Sequence, residues 1–329
     1  MKIRHLLAAA AAAVCLHAMV SAPVQAQDAR PLKFGYILAP DSQLGAGAAA
    51  FAATVEKLAP GRYKIDPFPN ATLAGEVEMM KGIQIGSVDL AFITGAPLPN
   101  FVPEAGVINI PFLFRDTTHA YAVLDGPIGQ DLLTKFAAKD IVALAWGENG
   151  MRHLTNAKRP VTTPADVQGL KLRTPQSDVI MAGFKALNAE VSQLPFPQLY
   201  DALKAGQFDG QENPIATIIA SKFDQVQKHL TMTAHVYDPA VVVVSPDLWA
   251  ELPDADKAAF TTAAKAAAAA SRTYAAEAEA KGVAQLEKAG MQVVRTVDRA
   301  AFAKAVEPAM PALEAKFGAD LVRQIRSAQ

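Results

Sequence analysis

Two periodicities share this chain. Val88 to Ile93 is almost wholly apolar, as expected of a parallel strand buried on both faces, and Lys33 to Leu38 reads as the first strand. Tyr63 and Ile65 alternate with polar neighbours in a further strand. Between these runs the spacing turns helical. Phe51, Val55 and Leu58 mark an Ala-rich helix ended by Pro60-Gly61, and Met79, Met80 and Ile83 mark one that opens at Gly75-Glu76 and closes at Gly86. Alternating strands and helices predict an α/β fold.

The stretch 169–214 repeats the alternation as strand, helix, loop, helix and strand. Lys171 to Arg173 must stop as a strand before Pro175, because Thr174 ahead of proline is pushed from helical geometry. Leu199, Ala202 and Leu203 recur at helical spacing before Gly206, and Phe208 to Gln211 is the next extended run, stopped by Pro214. Adjacent parallel strands would deliver Arg173 and Asn213 to one sheet edge, where ligands of open α/β sheets bind. A guanidinium fits a carboxylate bidentately, and an asparagine amide adds a third donor. The alternative is a surface ion pair for Arg173 and a turn role for Asn213. Gly86-Ser87-Val88-Asp89 and Gly206-Gln207-Phe208-Asp209 echo one another, as two similar α/β lobes would produce.

Ile141 to Trp146 predicts a strand, Gly147 to Gly150 a flexible crossing between lobes, and Val241 to Val244 a buried strand returning to the first lobe. From Asp254 a run of strong helix formers predicts one long helix over both lobes, with a bend near Gly282. The tail from Ala300 is helical by pattern and divided by Pro308 and Pro311.

Residues 1–26 have a basic start (Lys2, Arg4), an apolar middle and a small-residue ending, the pattern of a secretory signal cleaved after Ala26. An exported, periplasmic product is expected. The single cysteine, Cys15, lies in that signal, so the mature chain has no thiol for disulfides, catalysis or zinc. Loss of Lys2 and Arg4 takes the formal charge from −1 to about −3, which offers nothing to nucleic acid or anionic membrane. Roughly 300 mature residues predict two domains.

Gly45 to Ala50 matches a degenerate dinucleotide fingerprint, with Asp66 near the position of a ribose-binding acid. Six residues separate the first strand from Gly45, too many for the tight turn that motif needs, and an Ala/Gly-rich helix start explains it better. His119, His153, His229 and His235 show no ligand spacing with carboxylates, and no hydrolase motif occurs, so binding without chemistry is the expectation. Arg152 could add a second cation to the cleft or pin the crossing. Glu76 could accept from a ligand or simply sit well at a helix start. Phe196, between two prolines, could wall a pocket or pack in the core; His235 and Tyr237 could reach the cleft or be structural.

At LAGEVEMMKGIQIGSVDLAF, INIPFLFRDTTHAYAVLDG, ENGMRHLTN, GLKLRTP, PFPQLYDALKAGQFDGQENP and SKFDQVQKHLTMTAH the chain resembles the DctP family, the substrate-binding proteins of tripartite ATP-independent periplasmic (TRAP) transporters. The resemblance covers essentially the whole mature chain. It implies a two-lobed periplasmic-binding-protein fold with crossing hinge strands and a long helix spanning both lobes. The lobes expected are 27–150 with 239–280, and 151–238 with 281–329. It implies Arg173 as the bidentate carboxylate clamp and Asn213 as its assistant, with Arg152, Glu76 and Phe196 near the ligand, and Tyr36, Trp146, Asn149, His235 and Tyr237 reading the remainder. Some keto-acid-binding members bridge through a metal using an aromatic–acid pair near Glu212-Asn213; that pair is absent, so neither metal nor cofactor is expected. The implied function is capture of a small carboxylate, mono- or dicarboxylate, by a monomer that hands it to membrane subunits. A binding protein serving an ABC system or a sensor, and a periplasmic enzyme on the same scaffold, are the alternatives.

Overall fold

The computed structural model describes residues 28–329, so the expected signal and its cleavage site lie outside the described residues. Strand β1 (Arg30–Gly35) leads through helix α1 (Gln43–Leu58) to β2 (Tyr63–Phe68), α2 (Glu76–Gln84) and β3 (Leu90–Thr94). Helices α3 (Thr117–Asp125) and α4 (Pro127–Lys135) precede the long β4 (Val142–Asn156). The alternation resumes with β5 (Lys171–Thr174), α5 (Asp178–Ala186), β6 (Glu190–Gln193), α6 (Leu199–Lys204), β7 (Gly210–Pro214) and α7 (Ile215–Ala220). A second long strand, β8 (His229–Val244), turns through α8 (Pro246–Glu251) into α9 (Asp254–Lys288). The chain closes with β9 (Gln292–Val294), α10 (Arg299–Ala305), α11 (Met310–Phe317) and α12 (Ala319–Ser327).

One nine-stranded sheet results, in the order β2-β1-β3-β8-β4-β7-β5-β6, with β9 beside β8. β1 is parallel to β2 and β3, and β5 is parallel to β6 and β7, which makes a parallel α/β unit at each end. The antiparallel strands β4 and β8 join the two units. The start of β4, Val142 to Gly147, lies on Ala240 to Val244, while Arg152 to Asn156 pairs with β7. The chain therefore crosses once along β4 and returns along β8. The apolar core divides accordingly, with Phe34, Phe51, Phe92 and Val242 in one cluster and Leu154, Leu172 and Ile180 in another.

The echo between the two units has a physical counterpart. Gly86 and Gly206 both adopt φ +71°, where a side chain would be strained. Asp89 then accepts from the Lys33 backbone N–H at 2.8 Å, and Asp209 from that of Lys171 at 2.9 Å. Each aspartate ties the strand it precedes to its parallel neighbour.

Several expectations need correction. Gly147 to Gly150 is not a flexible link but the middle of β4, bonded to β8 on both sides of a bulge between Glu148 and Gly150 that leaves Asn149 without a ladder partner. Gly147 is there for space, since a Cβ would stand 2.5 Å from the Phe92 ring and 2.8 Å from Ser271 Oγ. Helix α9 runs unbroken past Gly282, whose missing side chain admits Ile215 and Ile219. Strand β7 begins at Gly210, two residues later than expected, and the largely polar β6 gave no apolar signal. The prolines do divide the tail, but its parts go to different clusters. Phe302 of α10 packs with Leu172, whereas Leu313, Val322 and Ile325 of the last two helices pack into the cluster that holds Phe34 and Phe92. Among the described residues no helix is long and apolar enough to cross a membrane.

Candidate functional site

The carboxyl ends of β1, β3, β5 and β7 converge on a cleft beside the crossing strands. Ile37, Leu38, Glu76, Thr94, Asn149, Arg152, Arg173, Pro175, Phe196, Asn213 and Thr217 line it, around about 260 Å³ of atom-free space that includes its solvent-facing mouth. Six of the anticipated residues meet here: Arg173, Asn213, Arg152, Glu76, Phe196 and Asn149.

Arg173 leaves β5 and is only 2% exposed. Its Nε and Nη2 both donate to the Leu194 carbonyl, at 2.9 and 2.7 Å, which fixes the plane of the group. Its Nη1 is buried and, among the described residues, has no hydrogen-bond partner. Burial lowers its pKa to about 9, partly offset by Glu212, so it stays charged at neutral pH. A buried guanidinium with an unused donor costs free energy until an anion supplies the acceptor. Asn213 is aimed by a relay: its Nδ2 donates to Gln211, whose own amide donates to Thr155 Oγ1 at 2.8 Å.

Arg152 is different. Its Nε and Nη2 grip the Glu212 carboxylate at 2.5 and 2.7 Å, Nη2 also reaches the Glu212 carbonyl at 2.7 Å, and Nη1 donates to Asp238 at 2.5 Å. Burial alone would lower its pKa, and the two facing carboxylates reverse that. Glu212, which burial would raise, is instead held at about 2 by Arg152 and by His235. Of the two readings of Arg152, the structural pin describes its bonding: one wall of the cleft is already neutralised and carries an extra carboxylate.

Glu76 begins α2 but does not cap it. Its oxygens accept from the Thr94 N–H at 2.7 Å and the Thr94 hydroxyl at 3.0 Å, tying α2 to the end of β3. Burial pushes its carboxyl up to about 7, the Thr94 bonds and Arg173 working against that and Asp238 with it. Asn149, freed from the ladder by the bulge, accepts from Gln43 Nε2 at 2.8 Å and donates to Asp238 at 2.7 Å. Thr217 accepts from the same Gln43 amide at 2.9 Å.

The remaining four anticipated residues do not line the cleft. Trp146 donates to the Gly129 carbonyl at 2.9 Å and packs edge-on against Phe136. Tyr237 donates to Glu148 at 3.3 Å and sits between Phe114 and Tyr121. His235 bonds Glu212 at 3.0 Å and Thr233 at 2.7 Å, supporting the Arg152 cluster. Tyr36 is buried just ahead of Ile37 and Leu38, which take the lining positions. Thr94 escaped the sequence reading although it ends the apolar run Val88 to Ile93, where the strand-end rule points. Thr217 had no such signal, because its place depends on how α7 meets α1.

Comparison with known proteins follows the same lines. Residues 34–316 match the family model DctP, described as bacterial extracellular solute-binding protein, family 7. A solute-binding protein of Verminephrobacter eiseniae is 47% identical over 88% of this chain and 87% of its own. The crystal structure of a TRAP periplasmic solute-binding protein from Polaromonas sp. JS666, bound to D-erythronate, superposes with TM-score 0.90 at 48% identity, covering 91% of this chain and 99% of that one. A Bordetella counterpart with density assigned to pantoate gives the same TM-score of 0.90, 48% identity and 91% and 99% coverage. With this fold, this cleft and a family match over most of its length, the chain belongs to the DctP family of bacterial extracellular solute-binding proteins, the substrate-binding proteins of TRAP transporters.

Proposed function

We propose that this chain captures a small organic acid between its two α/β units in the periplasm, holds the carboxylate on Arg173 with Asn213 assisting, and passes the ligand unchanged to membrane subunits of a transporter. The carrying observation is Arg173 itself, buried, charged, fixed in plane by Leu194 and left with an Nη1 that no group among the described residues uses. The relatives bound to D-erythronate and with density assigned to pantoate support the same chemistry, since both molecules are hydroxymonocarboxylates. Because the cleft walls come from both ends of the sheet, an anion that bridges them favours the closed arrangement, and binding shifts the open–closed equilibrium.

Thermal unfolding of the mature protein against a panel of small carboxylates, with matched amides and alcohols, tests this. An acid at a hundred times its Kd should stabilise by about 2.7 kcal/mol. That gain should vanish in Arg173→Ala. A carboxylate that protects the variant as well as the wild type refutes the clamp.

A further inference from the structure

We infer that a cavity between β4 and α9, separate from the carboxylate cleft, is a second binding site, and that its ligand is a small primary alkylammonium ion. The inference does not depend on the carboxylate reading, and it is tested with no acid present.

Tyr121 of α3, Glu148 to Met151 of β4, Pro214 and one face of α9 line this cavity, and Asn149 is the only residue it shares with the cleft. It holds about 740 Å³ of atom-free space including its mouth, against about 260 Å³ in the cleft. That is room for a molecule rather than a bare ion. The space exists because Gly150, Ala275, Ala276 and Ala280 carry no side chain beyond Cβ.

The charge on the walls is of one sign. Glu148 and Glu279 line the cavity, and no lysine, arginine or histidine among the described residues does. Glu148 is only 1% exposed; Tyr121 and Tyr237 both donate to its Oε2, and no group among the described residues bonds its Oε1. Arg272 opposes the Glu148 charge and Asp238 adds to it, but Arg272 is stacked over Tyr121 and gripped by Asp125 at 2.7 and 2.8 Å. Glu279 accepts from His153 Nε2 at 3.0 Å. The Nδ1 of that ring accepts from the Ala234 N–H at 3.1 Å, so the proton is on Nε2 and the ring brings no cation. The second oxygen of Glu279 is unbonded among the described residues.

An anion is repelled by both acids, and a divalent metal finds no group of three His, Cys, Asp or Glu among the described residues. A primary ammonium has three donors and no acceptor, which suits two carboxyls with unused oxygens. Its alkyl stem then lies on Met151, Pro214 and the alanines of α9. Burial holds the Glu148 carboxyl up at about 7. An arriving cation favours the ionised form and displaces that proton to solvent.

Calorimetric titration of the mature protein with n-butylammonium, tetramethylammonium and 1-butanol at constant ionic strength tests this. Butylammonium should bind roughly tenfold or more tightly than the other two, which lack either the N–H donors or the charge. Its affinity should rise about tenfold from pH 6 to pH 8, as Glu148 ionises, and its binding heat at pH 7 should vary with the ionisation enthalpy of the buffer. In Glu148→Gln the affinity should fall about tenfold or more and the buffer dependence should vanish. Ala276 is exposed, so Ala276→Leu fills the cavity without touching the core or either acid, and it should weaken binding by a similar factor at an unchanged Tm. Absence of butylammonium binding overturns the site, as does equal binding of tetramethylammonium or an affinity unchanged in Ala276→Leu. Binding without proton release, or unchanged in Glu148→Gln, overturns the assignment of the ammonium to Glu148.

Discussion

Alanine at Arg152 and alanine at Arg173 should damage the protein in different ways. Arg152→Ala strands Glu212 and Asp238, both 0% exposed, and should cost about 3–5 kcal/mol in urea unfolding whether or not ligand is present. Arg173→Ala removes a cation that forms no ion pair among the described residues and is bonded only to the Leu194 carbonyl, so unfolding without ligand should change little. Glu148 adds a pH signature. Burial raises its carboxyl from 4.5 to about 7, against the opposing hydrogen bonds of Tyr121 and Tyr237, so the native state holds that proton more tightly than the unfolded chain. Its contribution is full below pH 4.5 and is lost as the pH climbs through about 7. Glu212 acts in reverse, stabilising above 4.5 and failing as the pH falls toward about 2. Melting temperature plotted from pH 4.5 to 7 should therefore decline less in Glu148→Gln than in the wild type. Part of the decline should survive, because Glu76 shifts in the same direction.

Among the elements, the middle of β4 and helix α9 are matched by small residues. Ala263, Ala264, Ala267 and Ser271 bring α9 close to the sheet, and Gly47 and Gly147 let α1 and β4 approach Phe92 and the helix backbone. An alanine at Gly147 would need Phe92 or Ser271 to move, and should destabilise by about 1–3 kcal/mol, read from the denaturation midpoint at constant slope. If this glycine served only as a joint, alanine there would cost little. The sequence pattern marked Gly147 to Gly150 as a break because glycines and polar groups interrupt an apolar run. Pairing on both sides by β8 and packing by α9 outweigh that local preference.

At the scale of the whole molecule, the end of the chain closes on its first half. Arg115 donates to the carbonyls of Arg326 and Ala328 at 2.8 and 2.7 Å, His119 meets that of Ile325 at 2.8 Å, and Val322 and Ile325 are fully buried. Ending the chain at Gly318 should then cost about 3–6 kcal/mol, from two buried side chains at roughly 1.5–3 each, visible as a lower urea midpoint. Strand and helix periods, the turn glycines and the prolines are local, and from them the alternation of elements, the division of the tail and the delivery of Arg173 and Asn213 to one sheet edge could be read. Which of two arginines stays free for a ligand could not. Arg152 and Arg173 are chemically alike in the sequence, and they differ only because β7 and β8 bring Glu212 and Asp238 against one of them while a backbone carbonyl faces the other. Local conformation is set by near neighbours along the chain, whereas charge compensation is set by residues 60 and 86 positions apart, and only the assembled sheet decides it.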